Sequence, residues 1–225
     1  MGRLVWRPAL RHIGLAFTYV ELVFVRHGRP EHVETLDGTP ADPELAAVGH
    51  EQARAVAQWL AEIGGDAVYS SPMRRARQTA APIESALGLT ATTRDGLSEF
   101  DRHATAYVPM EVLKASDPAA YRSMVGGDYL SDVEDPTQWF ATVVDTVDGI
   151  VDLHPGQRVV VVCHGGVINA YLGHCLGFPP EDFLRFDVDY TSVTRIMASS
   201  QGHRSVASVN ERSHFRGRAD LAVRD

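Results

Sequence analysis

Two histidine-glycine pairs lie where two apolar segments of the sequence end. Arg26-His27-Gly28 follows the apolar run 22–25, and His164-Gly165-Gly166 follows the run 159–163. Because ligands in open α/β sheets gather at the carboxyl ends of strands, we expect both histidines at one edge of a sheet. The glycine after each histidine allows another group to approach the backbone closely. This arrangement predicts a small anion held between two imidazoles.

The same residues have the types that phosphoryl transfer through a histidine needs. A neutral imidazole must attack phosphorus while cations neutralise the phosphoryl oxygens. His27 is the candidate nucleophile beside the cation Arg26, and His164 is an opposing donor. Arg75, near the start of a predicted helix, adds a second guanidinium, although helical spacing alone leaves Arg74 and Arg77 open as the inward-facing residue.

A proton donor and contacts to the rest of the substrate complete the predicted site. An acid must protonate the leaving oxygen, and its conjugate base can then activate water. Glu99 is the candidate acid, with Asp101 as the alternative. Arg29 and Gly165 are candidate substrate contacts, and an ordinary surface position is the other interpretation of Arg29.

The segments around these residues alternate between strand and helix patterns. Such alternation predicts an α/β fold with a mainly parallel sheet and helices on both faces, in three layers. Right-handed crossovers bring the carboxyl ends of the strands to one edge. Strands are predicted at 20–25, 67–69, 89–93, 159–163, 193–198 and 205–209, and helices at 45–63, 72–87, 137–153 and 167–176.

Local signals divide the chain into a core and three accessory segments. Ser71 is the predicted N-cap of the second helix, with Pro72 at its first position. Residues 100–136, with short helices around Met110 and Ala120, are expected to cover the strand edge as a helical lid. Residues 1–18 are expected to be an extension outside the core, 19–210 a single domain, and 211–225 a polar, frayed tail.

Composition limits the partners that the chain can have. The 225 residues carry 21 basic and 29 acidic side chains, and 21 − 29 gives a net charge of −8, which argues against binding nucleic acid or an anionic membrane. Two apolar-flanked cysteines, Cys163 and Cys175, predict a reducing, cytoplasmic location, and no apolar stretch is long enough to span a membrane. The spacing of the remaining histidines gives no metal motif, so no metal ion or other cofactor is expected. A cysteine phosphatase is not indicated, because Asn169 stands where a Cys-x5-Arg loop needs arginine.

Four segments, taken in order, resemble the histidine phosphatase superfamily in its phosphoglycerate-mutase-like branch. They are Val25–Gly28, Ser70–Ala80, Leu97–Phe100 and Val162–Val167, and the similarity extends over about residues 19–198. The resemblance implies that His27 becomes phosphorylated and that Arg26, Arg75 and His164 form the phosphate pocket. It also implies that Glu99 donates the proton, because Gly165 stands where some members of the superfamily carry an aspartate.

The sequence departs from the mutase pattern at two places. Val33 stands where an asparagine is usual, and residues 101–107 lack the signature expected after the acid. These departures favour a metal-independent phosphomonoesterase acting on a small phosphorylated metabolite. A bisphosphoglycerate-dependent phosphoglycerate mutase and a non-catalytic phospholigand-binding protein are the alternatives. Trp139 and Phe140 are open to two interpretations, core residues or part of a homodimer contact.

Overall fold

The structure, a computed structural model, describes residues 18–125 and 135–222. Residues 1–17 of the expected N-terminal extension, residues 126–134 of the expected lid and the last three residues of the tail lie outside the described residues.

A six-stranded sheet forms the centre of the molecule, and a two-stranded sheet lies apart from it. The strands are β1 (Val20–Arg26), β2 (Val33–Glu34), β3 (Ala67–Ser70), β4 (Thr92–Thr93), β5 (Ala106–Tyr107), β6 (Arg158–Cys163), β7 (Val193–Ala198) and β8 (Arg204–Glu211). The strand order is β4-β3-β6-β1-β7-β8, and β2 pairs with β5. The first four strands in this order are parallel, whereas β7 runs antiparallel to both β1 and β8. The prediction of a mainly parallel sheet is confirmed.

Residues 18–125 and 135–222 form six α-helices. They are α1 (Ala47–Ile63), α2 (Arg74–Leu87), α3 (Met110–Ser116), α4 (Pro118–Val125), α5 (Pro136–Leu153) and α6 (Gly165–Leu176). Side chains alternate between the two faces of a strand, so β6 divides its valines between two cores. Val160 and Val162 pack in the cluster that includes α1 and α2, whereas Val159 and Val161 pack in the cluster that includes α5 and α6. The predicted three-layer arrangement is therefore confirmed.

The register of the parallel strands brings the predicted site residues to one edge. Arg26 at the end of β1 lies opposite Cys163 at the end of β6. The ladder continues one step beyond the strands, because the His27 backbone N–H donates to the Cys163 carbonyl at 2.9 Å. On the other side of β6, the Ser71 N–H donates to the Val162 carbonyl at 3.0 Å. His27, Ser71 and the residue after Cys163 consequently leave the sheet side by side.

The start of α2 differs from the sequence prediction. The helix begins at Arg74 with Met73 as its N-cap, so Ser71 is not the cap and Pro72 precedes the helix. The carboxylate of Asp42 takes the capping role by accepting the Arg74 N–H at 2.9 Å. This distant cap is invisible in the local sequence pattern, which is why the prediction was wrong.

The C-terminal segment also differs from expectation, because its described part is packed. Residues Ser213–Phe215 and Ala219–Leu221 form 3-10 turns that contact α1. Phe215 and Leu221 are only 7% and 2% exposed. The expectation of fraying is therefore wrong for residues 212–222, since two apolar side chains attach this polar segment to the core.

Trp139 and Phe140 both pack in or against the hydrophobic core. Phe140 is buried in the core, and Trp139 packs beside Phe183 while its indole N–H donates to the Ser98 carbonyl at 3.1 Å. Both side chains thus have core roles, and a homodimer stays a prediction.

Across residues 18–125 and 135–222, every helix is too short or too polar to cross a bilayer.

Candidate active site

His27 lies just beyond β1 with a defined tautomer. Its Nδ1 is 2.8 Å from the Gly28 carbonyl oxygen. A carbonyl only accepts, so Nδ1 carries the hydrogen and Nε2 keeps its lone pair. Burial lowers the pKa of His27 well below 6.5, and the charges of Arg75 and Arg26 lower it further. The imidazole is therefore neutral at pH 7 and can act as a nucleophile.

His164, the residue before α6, faces His27 across the site. The two ring centroids are 5.1 Å apart. His164 Nε2 lies 2.8 Å from the hydroxyl oxygen of Ser71, which itself accepts the Met73 N–H at 3.3 Å. The Ser71 hydroxyl proton is thus available for Nε2, which assigns the His164 hydrogen to Nδ1. Burial lowers the pKa of His164 well below 6.5, and the charges of Arg75 and Arg26 lower it further.

Arg75 is fully buried and offers donors to the same space. Its Nη2 donates to both oxygens of Asp101, at 2.9 and 3.2 Å, and its guanidinium carbon lies 4.6 Å from the centre of the Tyr107 ring. Within residues 18–125 and 135–222, Arg75 Nε, Arg75 Nη1 and His164 Nδ1 have no hydrogen-bond partner. Buried donors of this kind cost free energy unless a ligand satisfies them. An oxyanion bound between the two histidines would supply the acceptors.

Arg26 is held against a turn that precedes β7. Its Nη1 donates to the Val188 carbonyl at 2.5 Å, and its guanidinium carbon lies 4.2 Å above the Tyr190 ring. The Tyr190 ring is also 5.9 Å from the His27 ring. Stacking on an aromatic face fixes the plane of a guanidinium. Tyr190 therefore supports the cation and the nucleophile together.

Glu99 reaches the site from the segment after β4. Its Oε2 accepts the Gly166 N–H at 2.8 Å, and its Oε1 accepts the Phe100 N–H at 3.2 Å. Burial raises the pKa of Glu99 to about 7, and the charge of Asp101 adds to the effect. Arg75 and the two amides act in the opposite direction. A carboxyl with this pKa can carry a proton at neutral pH and release it.

Asp101, the alternative acid, is engaged elsewhere. Both of its oxygens accept from Arg75, in an ion pair whose arginine side chain is 1% exposed. Asp101 therefore lies against the guanidinium of Arg75 through both of its oxygens. The geometry thus favours Glu99 over Asp101 as the proton donor.

The two candidate substrate contacts lie in different places. Gly165 is beside the site, because a Cβ there would lie 3.6 Å from Arg26 Nε. Arg29 is turned towards α3, where its Nε donates to Glu111 at 2.5 Å. Glu111 also accepts from the Tyr190 hydroxyl at 3.3 Å. The structure therefore attaches Arg29 to α3 and does not place it with the donors of the anion site.

Two glycines allow the close approach that the loop after His27 needs. A Cβ on Gly28 would lie 2.5 Å from the Gly49 carbonyl oxygen in the first turn of α1. The Gly28 N–H donates to the Thr79 hydroxyl at 2.9 Å, and that hydroxyl donates to the Arg75 carbonyl at 2.7 Å. The loop is thereby linked to the helix that carries Arg75.

Sequence reasoning missed several residues of this site. Ser71 was predicted as a helix cap at the end of a strand, without a contact to His164, and Thr79 and Tyr107 were not considered as contacts. Tyr190 lies in an irregular segment without a motif, so no local pattern identified it.

Cys163 is buried, and burial raises its pKa, so its thiol stays protonated. Across the described parts of the chain, no three His, Cys, Asp or Glu side chains form a group that could hold a metal ion.

Comparisons with known proteins show which family and fold the chain resembles. Residues 22–211 match the model of the histidine phosphatase superfamily, branch 1. Phosphoserine phosphatase 1 of Hydrogenobacter thermophilus is 29% identical over 188 residues, which cover 79% of this chain and 86% of that protein. A probable phosphoglycerate mutase of Yersinia enterocolitica is 26% identical over 182 residues, covering 79% and 84% of the two chains.

Solved structures show the same fold. A phosphoserine phosphatase from Entamoeba histolytica, crystallised with 3-phosphoglyceric acid, superposes with a TM-score of 0.67 and 22% identity over 87% of this chain and 99% of that one. A mycobacterial glucosyl-3-phosphoglycerate phosphatase superposes with a TM-score of 0.68 and 22% identity over 85% and 99%.

Proposed function

The chain belongs to branch 1 of the histidine phosphatase superfamily, and on that premise we propose that it hydrolyses a small phosphomonoester through a phosphohistidine at His27. One observation carries the proposal. The rings of His27 and His164 lie 5.1 Å apart, the charges of Arg75 and Arg26 act on both rings, and the Glu99 carboxyl, with a pKa of about 7, accepts the N–H of Gly166 two residues after His164.

In the first step, the phosphoryl oxygens accept from Arg75 Nε, Arg75 Nη1 and His164 Nδ1, with Arg26 adding positive charge. His27 Nε2 attacks phosphorus, and the bond from phosphorus to the ester oxygen breaks. Glu99 transfers its proton to that oxygen, so the alcohol leaves neutral. Fixed cations are effective here because the buried site strengthens their interaction with the developing charge.

In the second step, water breaks the bond between phosphorus and His27. The Glu99 carboxylate accepts a proton from water as its oxygen attacks phosphorus. Inorganic phosphate forms, His27 recovers its lone pair, and Glu99 is protonated again. Side chains fill every role in this cycle, so we propose that no metal ion is required and that a chelator leaves the rate unchanged.

Hydrolysis is favoured over transfer to a second hydroxyl by the departures from the mutase pattern at Val33 and residues 101–107. The relative that is 29% identical carries the name of a phosphatase, and the one that is 26% identical carries the name of a probable mutase. Incubation with 3-phosphoglycerate, with and without its bisphosphate, separates the two activities. Release of inorganic phosphate supports the phosphatase, whereas conversion to 2-phosphoglycerate that depends on the bisphosphate supports the mutase.

The decisive test compares His27→Ala with His203→Ala. His203 is exposed in the turn between β7 and β8, so its variant controls for the loss of a histidine. We expect His27→Ala to lose hydrolysis of p-nitrophenyl phosphate and the acid-labile phosphoenzyme that wild type forms with labelled substrate. His203→Ala should retain both. Normal turnover by a folded His27→Ala protein would reject the proposal, and phosphate binding by wild type without any turnover would indicate a binding protein.

A further inference from the structure

Residues 188–192 form a turn, here called the site turn. It holds the backbone of Arg26, the last residue of β1, and of His27, which follows it. The Thr191 N–H donates to the carbonyls of Arg26 and His27, at 3.1 and 3.3 Å. The Arg26 N–H donates to the Ser192 carbonyl at 3.3 Å. Together with the side-chain contact from Arg26 to Val188, these bonds fix both ends of Arg26 to the site turn. Any shift of the turn therefore moves Arg26 and His27.

The site turn has a backbone conformation that its own sequence does not favour. Thr191 has a φ of 51°, in the left-handed region that β-branched residues avoid. Such a conformation is unfavourable for threonine and persists only where the surroundings impose it. The contacts that impose it are consequently part of what holds the site together.

The turn closes on itself, because the Ser192 N–H donates to the Asp189 carbonyl at 3.0 Å, and further contacts come from residues 210–222, here called the C-terminal clasp. Asn210 accepts the Asp189 N–H at 2.8 Å and donates from Nδ2 to the Asp189 carboxylate at 3.1 Å. Arg212 forms an ion pair with the same carboxylate at 3.0 Å. His214 Nε2 lies 3.3 Å from the Thr191 hydroxyl. The clasp thus contacts two residues of the site turn through three side chains.

The far end of the clasp reaches the loop after His27 by another route. Gln52 of α1 is fully buried and donates from Nε2 to the Leu221 carbonyl at 2.9 Å. Its Oε1 accepts the Arg29 N–H at 2.8 Å. One buried amide therefore bridges the clasp to the loop that follows His27.

Two properties of the clasp suit it to a fixed supporting role. The Asp189 and Arg212 side chains are 10% and 23% exposed, so water screens their attraction only in part. His214 is largely buried, and burial followed by the charge of Arg212 lowers its pKa to about 4. It stays neutral at physiological pH, so its contact with Thr191 does not vary there.

We propose that the C-terminal clasp positions Arg26 and His27 for phosphoryl transfer by holding the site turn in its left-handed conformation. The proposal rests on the proposed function for its kinetic consequence. The clasp lies almost wholly beyond residue 211, where the family match ends, so it is inferred from the contacts of this chain alone. Asn210, Arg212 and His214 are its positioning residues, since they contact the site turn and do not touch the anion site.

The chain offers a matched pair of arginines for the test. Arg212 pairs with Asp189 of the site turn, whereas Arg218 pairs with Asp220 inside the clasp, where both side chains are exposed. We expect Arg212→Gln to lower kcat for p-nitrophenyl phosphate about 10-fold and to raise KM, because a small displacement of Arg26 and His27 reduces rates strongly and also weakens binding of the anion. Arg218→Gln should match wild type. Equal losses in both variants, or unchanged kcat in Arg212→Gln, would overturn the proposal.

His214 provides a rescue experiment that separates positioning from general destabilisation. His214→Leu removes the nitrogen that faces Thr191 and keeps an apolar side chain, and we expect kcat to fall several-fold. Gln can place an amide nitrogen near the position of Nε2, so His214→Gln should recover most of the loss. Thermal unfolding midpoints of both variants are measured alongside. If kcat follows the midpoint instead of the restored contact, the clasp is only structural and the proposal fails.

Two measurements test the role of the clasp independently of which reaction the protein catalyses. Hydrogen exchange at the amides of residues 26, 191 and 192 should quicken in Arg212→Gln and not in Arg218→Gln. The affinity for inorganic phosphate, measured by titration calorimetry, should weaken in the first variant only. Absence of wild-type turnover would count against the proposed function. Unchanged exchange and phosphate affinity in Arg212→Gln would count against the clasp.

Discussion

The Glu99 carboxylate accepts the Gly166 backbone N–H at 2.8 Å, in the first turn of the helix that begins directly after His164. The contact joins a segment near the middle of the sequence to the second histidine motif. It brings the proposed acid to the same edge as His27 and His164. Because the carboxyl is buried there, its pKa rises to about 7. The placement of Glu99 therefore determines both where a proton can be delivered and at which pH.

Replacement of Glu99 by glutamine removes the proton donor and leaves a similar shape. We expect kcat for an alkyl phosphate to fall about 100-fold or more, as is typical for loss of general acid catalysis. The loss should be much smaller for the formation of the phosphoenzyme from p-nitrophenyl phosphate, because nitrophenolate leaves without a proton. Steady-state rates on both substrates, with rapid-quench measurement of the aryl burst, check the difference. A loss in the aryl burst rate as large as the loss in kcat for the alkyl phosphate would contradict the role of Glu99.

The pH dependence of kcat/KM should reveal the ionisation of Glu99, whose pKa the nearby charge of Asp101 raises. Activity requires a protonated Glu99, so kcat/KM should decline as pH rises through about 7, the pKa of that carboxyl. The pKa of His27 lies well below 6.5, so the nucleophile remains neutral across this range. The charge of Asp101 raises the pKa of Glu99, and Asp101→Asn should therefore move the decline to lower pH. Asp95→Asn, at an exposed position, is the control. A shift to higher pH in Asp101→Asn would refute the electrostatic argument.

Loss of the Ser71 hydroxyl should disturb His164 specifically. Ser71→Ala leaves the buried Nε2 of His164 without its partner at 2.8 Å, at a cost of about 1–3 kcal/mol in the free energy of unfolding. The imidazole also loses the group that assigns its hydrogen to Nδ1, so phosphate affinity should decrease. Ser70→Ala is the matched control, because Ser70 is equally buried and donates only to the Ser71 carbonyl. Denaturant unfolding and phosphate titration measure the two effects. The expectation fails if both variants weaken phosphate binding equally.

The two glycines that begin α6 should respond differently to alanine. A Cβ on Gly166 would overlap the Glu99 carboxylate and lie 2.7 Å from the Phe100 ring, whereas one on Gly165 meets nothing closer than 3.6 Å. Gly166→Ala should lower the free energy of unfolding by about 1–3 kcal/mol, the usual cost of overpacking. It should also displace the acid and reduce kcat. Gly165→Ala should unfold close to wild type. Chemical denaturation of both proteins checks the contrast, and equal midpoints would show that Glu99 can move aside freely.

Local patterns in the sequence were sufficient for the layers of the fold and for the two histidine positions. Strand and helix periodicities depend on neighbouring residues only, so the prediction of β7 at 193–198 coincides with the structure and that of α5 at 137–153 differs by one residue. The rule that ligands gather at strand carboxyl ends then placed His27 and His164 at one edge. The resemblance to the histidine phosphatase superfamily, confirmed by the match over residues 22–211, added the order of the motifs.

Tertiary structure decided the features that depend on residues far apart in the chain. Arg75, and not Arg74 or Arg77, faces inwards, since Arg75 is buried while the other two are exposed. Burial beside Asp101 decided the proton affinity of Glu99. The contact between His214 Nε2 and the Thr191 hydroxyl attaches the polar C-terminal segment to the site turn. Sequence spacing records which residues are neighbours along the chain, whereas desolvation and hydrogen bonding depend on which residues the fold brings within a few ångströms.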